Sequence, residues 1–355
     1  MINSIITGTG SEIPKKHMPN SAFLDHVFYD KKGQKIEKPS IEIMAKLEQI
    51  SGIKGRRYVS DEMDTADLAV AAARKAIDDA GLSAESLDGI IVAHNFGNLE
   101  PGSSHGNLLP NLAAIVKNRL DIKSHKCPAI DLLFGCPGWL EALIVGHQYI
   151  KAGTSKNILI VGAELISRVL DFNDLDSMLF GDGAGAVVLS AVEEVSPRGI
   201  LSHTTYSHCN EEAHYLYGGK NTEPGREDVW SPKMDGRKVF RYGMTYLPKV
   251  ITESLEQANL QLKEVKKMLF HQANEKMIRQ ISRQLMDQHE LNEDIEDLVP
   301  FIVQDTGNSS VATIPTMMDF MRKGKLGHHT IQEGDNLVMA SVGAGMHCNS
   351  VVYRA

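Results

Sequence analysis

Short, nearly unbroken apolar runs recur along this 355-residue chain, and stretches with helical periodicity lie between them. The strand-like runs are Ser4–Thr7, Gly89–Ala93, Ala129–Leu132, Ile158–Val161 and Ala186–Leu189, then Ile200–His203, Met268–His271, Asn336–Ala340 and Ser350–Tyr353. Helical spacing covers Thr65–Ala80, Asn111–Leu120 and Leu140–Lys151, and later Tyr246–Ala258, Asn274–Met286 and Val311–Met321. A strand that is apolar throughout needs cover on both faces, and helices on either side of a sheet provide it. The rhythm therefore predicts an α/β fold. The length and a 42% apolar content predict two domains with a large core.

One junction carries chemistry. In Asp131-Leu-Leu-Phe-Gly-Cys136-Pro-Gly-Trp139 the segment from Cys127 to Phe134 reads as a buried strand. Pro137 suits the first helical position, where its missing N–H costs nothing. A thiol at a helix N-terminus meets unpaired N–H groups and the positive end of the dipole, both of which favour thiolate. The same pattern also fits a structural cysteine that precedes a helix by chance. Two distant motifs tip the balance. Phe270-His271-Gln272-Ala273-Asn274 and Gly307-Asn308-Ser309-Ser310 each place a polar residue at the start of a helical segment. Cys136, His271 and Asn308 together make a catalytic set.

Over nearly its whole length the chain resembles the β-ketoacyl-acyl-carrier-protein synthases III, condensing enzymes of the thiolase superfamily. The likeness runs from Ile5-Ile-Thr-Gly-Thr-Gly10 to Val351-Val-Tyr-Arg354, through Gly52-Ile-Lys-Gly-Arg-Arg57, Phe180-Gly-Asp-Gly-Ala-Gly185 and Ser341-Val-Gly-Ala-Gly345. The resemblance implies a thiolase fold, two similar βαβ-rich halves stacked as α-β-α-β-α layers. The boundary is expected near Val195-Ser-Pro-Arg-Gly199, giving a nucleophile-bearing half (1–195) and a half carrying His and Asn (196–355). It implies acyl transfer to Cys136, then decarboxylative Claisen condensation with malonyl-acyl carrier protein as the starter step of fatty-acid synthesis. His271 and Asn308 would donate to the enolate. Backbone N–H groups of Cys136 and of the Ala344-Gly345 turn would bind the acyl-transfer oxyanion. Leu109, Trp139 and Val342 are expected at the acyl tunnel, Leu109 in that of a homodimer partner, and Lys276 at the carrier protein. No cofactor or metal is implied.

Composition narrows the surroundings. A net charge of −8 argues against nucleic acid as a partner. No run approaches the roughly 18 apolar residues of a membrane span, and Met1-Ile-Asn-Ser-Ile-Ile-Thr7 does not read as a signal peptide. Cys127, Cys136, Cys209 and Cys348 form neither a zinc pattern nor a disulfide framework, which suits a reducing cytoplasm. His203, His208, Cys209 and His214 lack paired metal-ligand spacing, and His328-His329 reads as a solvated turn. Phe28–Pro39 reads as an exposed excursion and Ser207–Pro232 as an irregular, mobile one.

Three departures bear on the acyl donor. Family members hold the CoA nucleotide with a Trp and an Arg, whose places are taken here by Lys46 and Ile50. Lys276 stands where an Arg usually faces the carrier, and Phe134-Gly135 replaces small residues before the nucleophile. These features favour a carrier-bound or longer donor. They also leave open a ketosynthase that joins two carrier-bound chains in dialkylresorcinol or aryl polyene lipid synthesis. An inert partner subunit conflicts with the intact Cys136, His271 and Asn308, and a thioester hydrolase with the Asn308 motif.

Overall fold

The computed structural model describes residues 1–30 and 34–355. In chain order the first half contains β1 (Ile2–Glu12), β2 (Lys16–Pro19), α1 (Ser40–Ser51), β3 (Gly55–Tyr58), α2 (Thr65–Asp79), β4 (Gly89–Ala93) and α3 (Leu112–Arg119). It ends with β5 (Ala129–Leu132), α4 (Gly138–Lys151), β6 (Asn157–Glu164) and β7 (Gly183–Glu193). The second half contains β8 (Gly199–Ser207), a hairpin of β9 (Leu216–Lys220) and β10 (Trp230–Met234), α5 (Gly236–Gln257), β11 (Val265–Phe270) and α6 (Glu275–Gln288). The short helices α7 (Ile295–Leu298) and α8 (Val303–Thr306) follow, then α9 (Thr313–Arg322), β12 (Asn336–Gly343) and β13 (His347–Arg354).

Side-chain alternation in the strands assembles the layers. The first sheet runs β1-β7-β6-β4-β5, with β5, β4 and β6 parallel. Ile90 and Val92 of β4 face one core with the Ala-rich side of α2 and with α3. Ile91 and Ala93 face another with α4 and α9. In the second sheet, β11-β12-β13-β8, Leu337 and Met339 of β12 point into that same α4–α9 core, while Val338 and Ala340 meet α5 and α6. A period of two along each strand thus distributes apolar side chains to both faces. The result is five layers, α-β-α-β-α: the thiolase fold.

The middle layer is cross-tied. Glu141 of α4 accepts hydrogen bonds from Thr205 of β8 (2.9 Å) and Asn349 of β13 (3.2 Å). Asn349 also donates to the Pro137 carbonyl (3.1 Å), which holds the turn that carries Cys136. Reciprocally, Asp319 of α9 accepts from Thr9 (3.0 Å) and Ser11 (2.6 Å) of β1. Each half lends its central helix to the other half's sheet.

Several expectations are corrected. β5 is not a buried strand; it forms the open edge of the first sheet, with Ile130 38% and Leu133 57% exposed. The Ser207–Pro232 stretch folds into the β9–β10 hairpin, pinned where Asn221 donates to the Leu170 carbonyl and Lys233 pairs with Asp171. In the Phe28–Pro39 excursion, residues 31–33 lie outside the described residues. Phe28 is buried with Phe23, Ile43 and Met44, because α1 gives it a small core of its own. α5 begins at Gly236, where Asp235 caps the helix, ahead of the expected Tyr246. His329 is buried and is not part of a solvated turn. Among the described residues, no helix is long and apolar enough to cross a membrane, and no three His, Cys, Asp or Glu side chains are grouped to hold a metal.

Candidate active site

Cys136 follows the C-terminal end of β5, and α4 starts two steps on at Gly138, with Pro137 already in helical conformation (φ −67°, ψ −5°). The expected junction is therefore present to within a residue. Burial pushes the thiol up to about 11. A hydrogen bond from Ser310 Oγ, 3.4 Å from Sγ, works in the opposite direction.

His271 follows β11 directly and is buried, its N–H still bonded to the Ala340 carbonyl of β12 (2.9 Å). Burial lowers its pKa to about 4, so the imidazole is neutral at neutral pH. Its Nδ1 lies 3.0 Å from Thr313 Oγ1, which is also 3.0 Å from the Ser310 carbonyl oxygen. Asn308 lies between α8 and α9, bridged in parallel to Phe180. Gly181 permits this approach, since a Cβ there would stand 2.2 Å from the Thr306 carbonyl. Asn308 Oδ1 accepts the Ser310 N–H (2.8 Å), which leaves the NH2 end of the amide as its donor.

Ser310 is thus the junction of the site. Its N–H meets Asn308, its hydroxyl meets Cys136, and its carbonyl reaches His271 through Thr313. It sits at φ +50°, a strained region for a residue with a Cβ. Sequence reasoning gave no role to Ser310, which closes the Gly-Asn-Ser-Ser motif, or to Thr313, which lies just beyond it.

Other nominated residues fall as follows. Gly343 packs on the Cys136 backbone so closely that a Cβ would be 2.5 Å from its N, and Ala344 N presses on Gly135. Gly345 instead faces the His347 ring. Trp139 is buried in the α4–α9 core, and Val342 in the core beneath α5 and α6. Leu109 is 86% exposed, and Lys276 is exposed in the first turn of α6. Asp131 caps α3 by accepting the Leu112 and Ala113 N–H groups and bonds His94 Nε2 (2.8 Å). Burial alone would raise its carboxyl; these bonds outweigh it and hold the pKa below the usual value.

The layered fold and a thiol joined through Ser310 to a buried His and Asn define an acyltransferase of the condensing class. A sequence profile of 3-oxoacyl-[acyl-carrier-protein] synthase III matches residues 130–208, and its C-terminal counterpart matches 255–355. A β-ketoacyl-[acyl-carrier-protein] synthase III of Neisseria meningitidis serogroup C is 34% identical, with 98% of each chain covered. One from Staphylococcus haemolyticus is 32% identical, with 99% of each covered. The crystal structure of 3-oxoacyl-[acyl-carrier-protein] synthase III from Aquifex aeolicus matches with a TM-score of 0.79 at 28% identity, over 99% of this chain and all of that one. The chain belongs to the 3-oxoacyl-[acyl-carrier-protein] synthase III family.

Proposed function

We propose that this protein performs the starter condensation of fatty-acid synthesis, with the half 1–195 supplying the nucleophile and the half 196–355 the enolate donors. Cys136 sulfur attacks an acyl thioester carbonyl, the new C–S bond forms, and the carrier thiol leaves. The Cys136 N–H and the backbone at Ala344-Gly345 bind the transient oxyanion. Malonyl-acyl carrier protein then loses CO2, and the electron pair of the broken C–C bond passes to an enolate. His271 Nε2–H and the Asn308 amide donate to its oxygen. This role places the proton on Nε2, so the Thr313 hydroxyl must turn its one proton from the Ser310 carbonyl to His271 Nδ1. The enolate carbon attacks the acyl–Cys136 carbonyl, a C–C bond forms, and the Cys136 sulfur is released. The observation that carries this reading is the convergence of all three groups on Ser310.

The donor we assign is carrier-bound. Ile50 and Lys46 lie on α1, and the cleft beside it is lined by Glu48, Lys54, Glu275 and Gln304, where carboxylates oppose CoA phosphates. Exposed Lys276 and Arg283 on α6, with Arg237, Lys238 and Arg241 on α5, offer an acidic carrier a basic surface. The test supplies one acyl group on CoA or on carrier protein, with malonyl carrier, and follows β-ketoacyl product. We expect a higher kcat/KM from carrier, falling with salt because exposed charges are screened over about 10 Å at 0.1 M. Equal or better use of CoA overturns the donor assignment; absence of β-ketoacyl product from either donor overturns the function.

We also propose a homodimer acting in the cytoplasm. The open edge of β5, with exposed Ile130 and Leu133, and the apolar Leu108 and Leu109 give a second copy a strand to pair with and a face to cover. Four free thiols suit a reducing compartment. Light scattering should return a dimer; a stable monomer counts against the assignment.

A further inference from the structure

Three neighbouring strands end at the nucleophile. Cys136 follows β5, Asn95 follows β4, and Glu164 closes β6, all at the C-terminal edge of the parallel part of the first sheet. Their side chains are linked in sequence. Glu164 Oε1 accepts from the Asn95 backbone N–H (2.5 Å) and from Asn95 Nδ2 (3.2 Å). The other Nδ2 proton goes to Ser310 Oγ (3.0 Å). Ser310 Oγ thus accepts from Asn95, and its own proton is directed to Cys136 Sγ at 3.4 Å. We propose that Ser310 is a further catalytic residue, the hydroxyl donor that stabilises the Cys136 thiolate, and that Asn95 and Glu164 are positioning residues that fix the direction of its proton. The assignment rests on Cys136 being the nucleophile.

Two of the linked residues, Glu164 and Ser310, are buried. Glu164 is 1% exposed, and among the described residues its Oε2 has no hydrogen-bond partner. Burial pushes its carboxyl up to about 8, with Asp182 adding to the rise and the Asn95 bonds opposing it. A neutral Glu164 carries its proton on Oε2 and still accepts through Oε1. It also spares the sulfur a negative neighbour, since an ionised Glu164 raises the thiol further. The left-handed φ of Ser310 is what brings its hydroxyl, N–H and carbonyl to three different partners.

The experiment follows alkylation of Cys136 by iodoacetamide across pH, read on the Cys136 peptide by mass spectrometry in the full-length protein. Ser310→Ala and Ser310→Gly should both move the thiol titration upward and slow alkylation at neutral pH by roughly 10- to 100-fold, the worth of a hydrogen bond to a charged group. Glycine accepts φ +50° without strain, so agreement between the two variants separates the lost hydroxyl from a local collapse. Asn95→Ala should shift the profile in the same direction, and adding it to Ser310→Ala should change nothing more. Glu164→Ala should follow Asn95→Ala, and Glu164→Gln, which keeps an acceptor for the Asn95 amide, should recover most of the loss. An unchanged Cys136 profile in both Ser310 variants, or additive effects of Ser310→Ala and Asn95→Ala, overturns the proposal. Alkylation needs no acyl substrate, so a failed condensation assay and a failed relay are separate results.

Discussion

Cys136→Ala is expected to yield a folded protein that no acyl thioester can load. Alanine keeps the Cβ and removes only a sulfur that accepts a hydrogen bond from Ser310 Oγ, so the stability change should stay near the typical 1 kcal/mol of a single substitution. The chemical loss is complete, because no other group at this position can hold the acyl chain as a thioester. Malonyl-carrier decarboxylation should persist, since His271 and Asn308 are attached to β11 and to the α8–α9 loop and do not depend on the sulfur for their placement. Intact-protein mass spectra after incubation with acyl donor read the first result, and CO2 release reads the second. A mass increase in the alanine variant equal to one acyl group would place the nucleophile elsewhere.

His271→Ala and Asn308→Ala should give the opposite phenotype: acyl loading retained, condensation lost. Each removes one donor to a developing enolate oxygen, typically about 3–4 kcal/mol, or 10²–10³ in rate. The two donors serve one oxygen, so the double variant should fall well short of the product of the single effects. Burial holds His271 neutral, so its contribution is that of a neutral N–H donor. Both side chains are buried, and thermal melts must accompany the kinetics so that lost packing is not mistaken for lost chemistry. Single-turnover condensation from preloaded enzyme is the measurement. Wild-type turnover in either variant removes that residue from the enolate site.

How much was legible in the sequence depended on how local the cause was. β4 falls on the expected residues because its short apolar, β-branched run stops sharply at His94. α1 was missed because it buries only Ile43, Met44 and Ser51 and so shows little amphipathic pattern. The start of α5 was missed because Arg237, Lys238 and Arg241 present a polar face to solvent. β5 read as buried because its Ala129, Ile130 and Leu132 are as apolar as the residues of an interior strand. In the site, Cys136, His271 and Asn308 were readable because each stands inside a contiguous motif. Asn95 and Glu164 were not. Their meaning comes from strands β4 and β6 ending side by side, a through-space fact that carries no signature in either segment.

The reciprocal loan of α4 and α9 sets the tolerances of the whole molecule. A joint in which each part is clamped by the other cannot be adjusted from one side. A bulkier side chain on α9 must be absorbed by β1 and β7 as well as by β11, and a slimmer one on α4 leaves a gap bordered by strands from both halves. The two halves therefore share a single mechanical reference, and the sulfur, imidazole and amide are all gauged against it. A change in the middle layer is therefore expected to register at Cys136, His271 and Asn308 together.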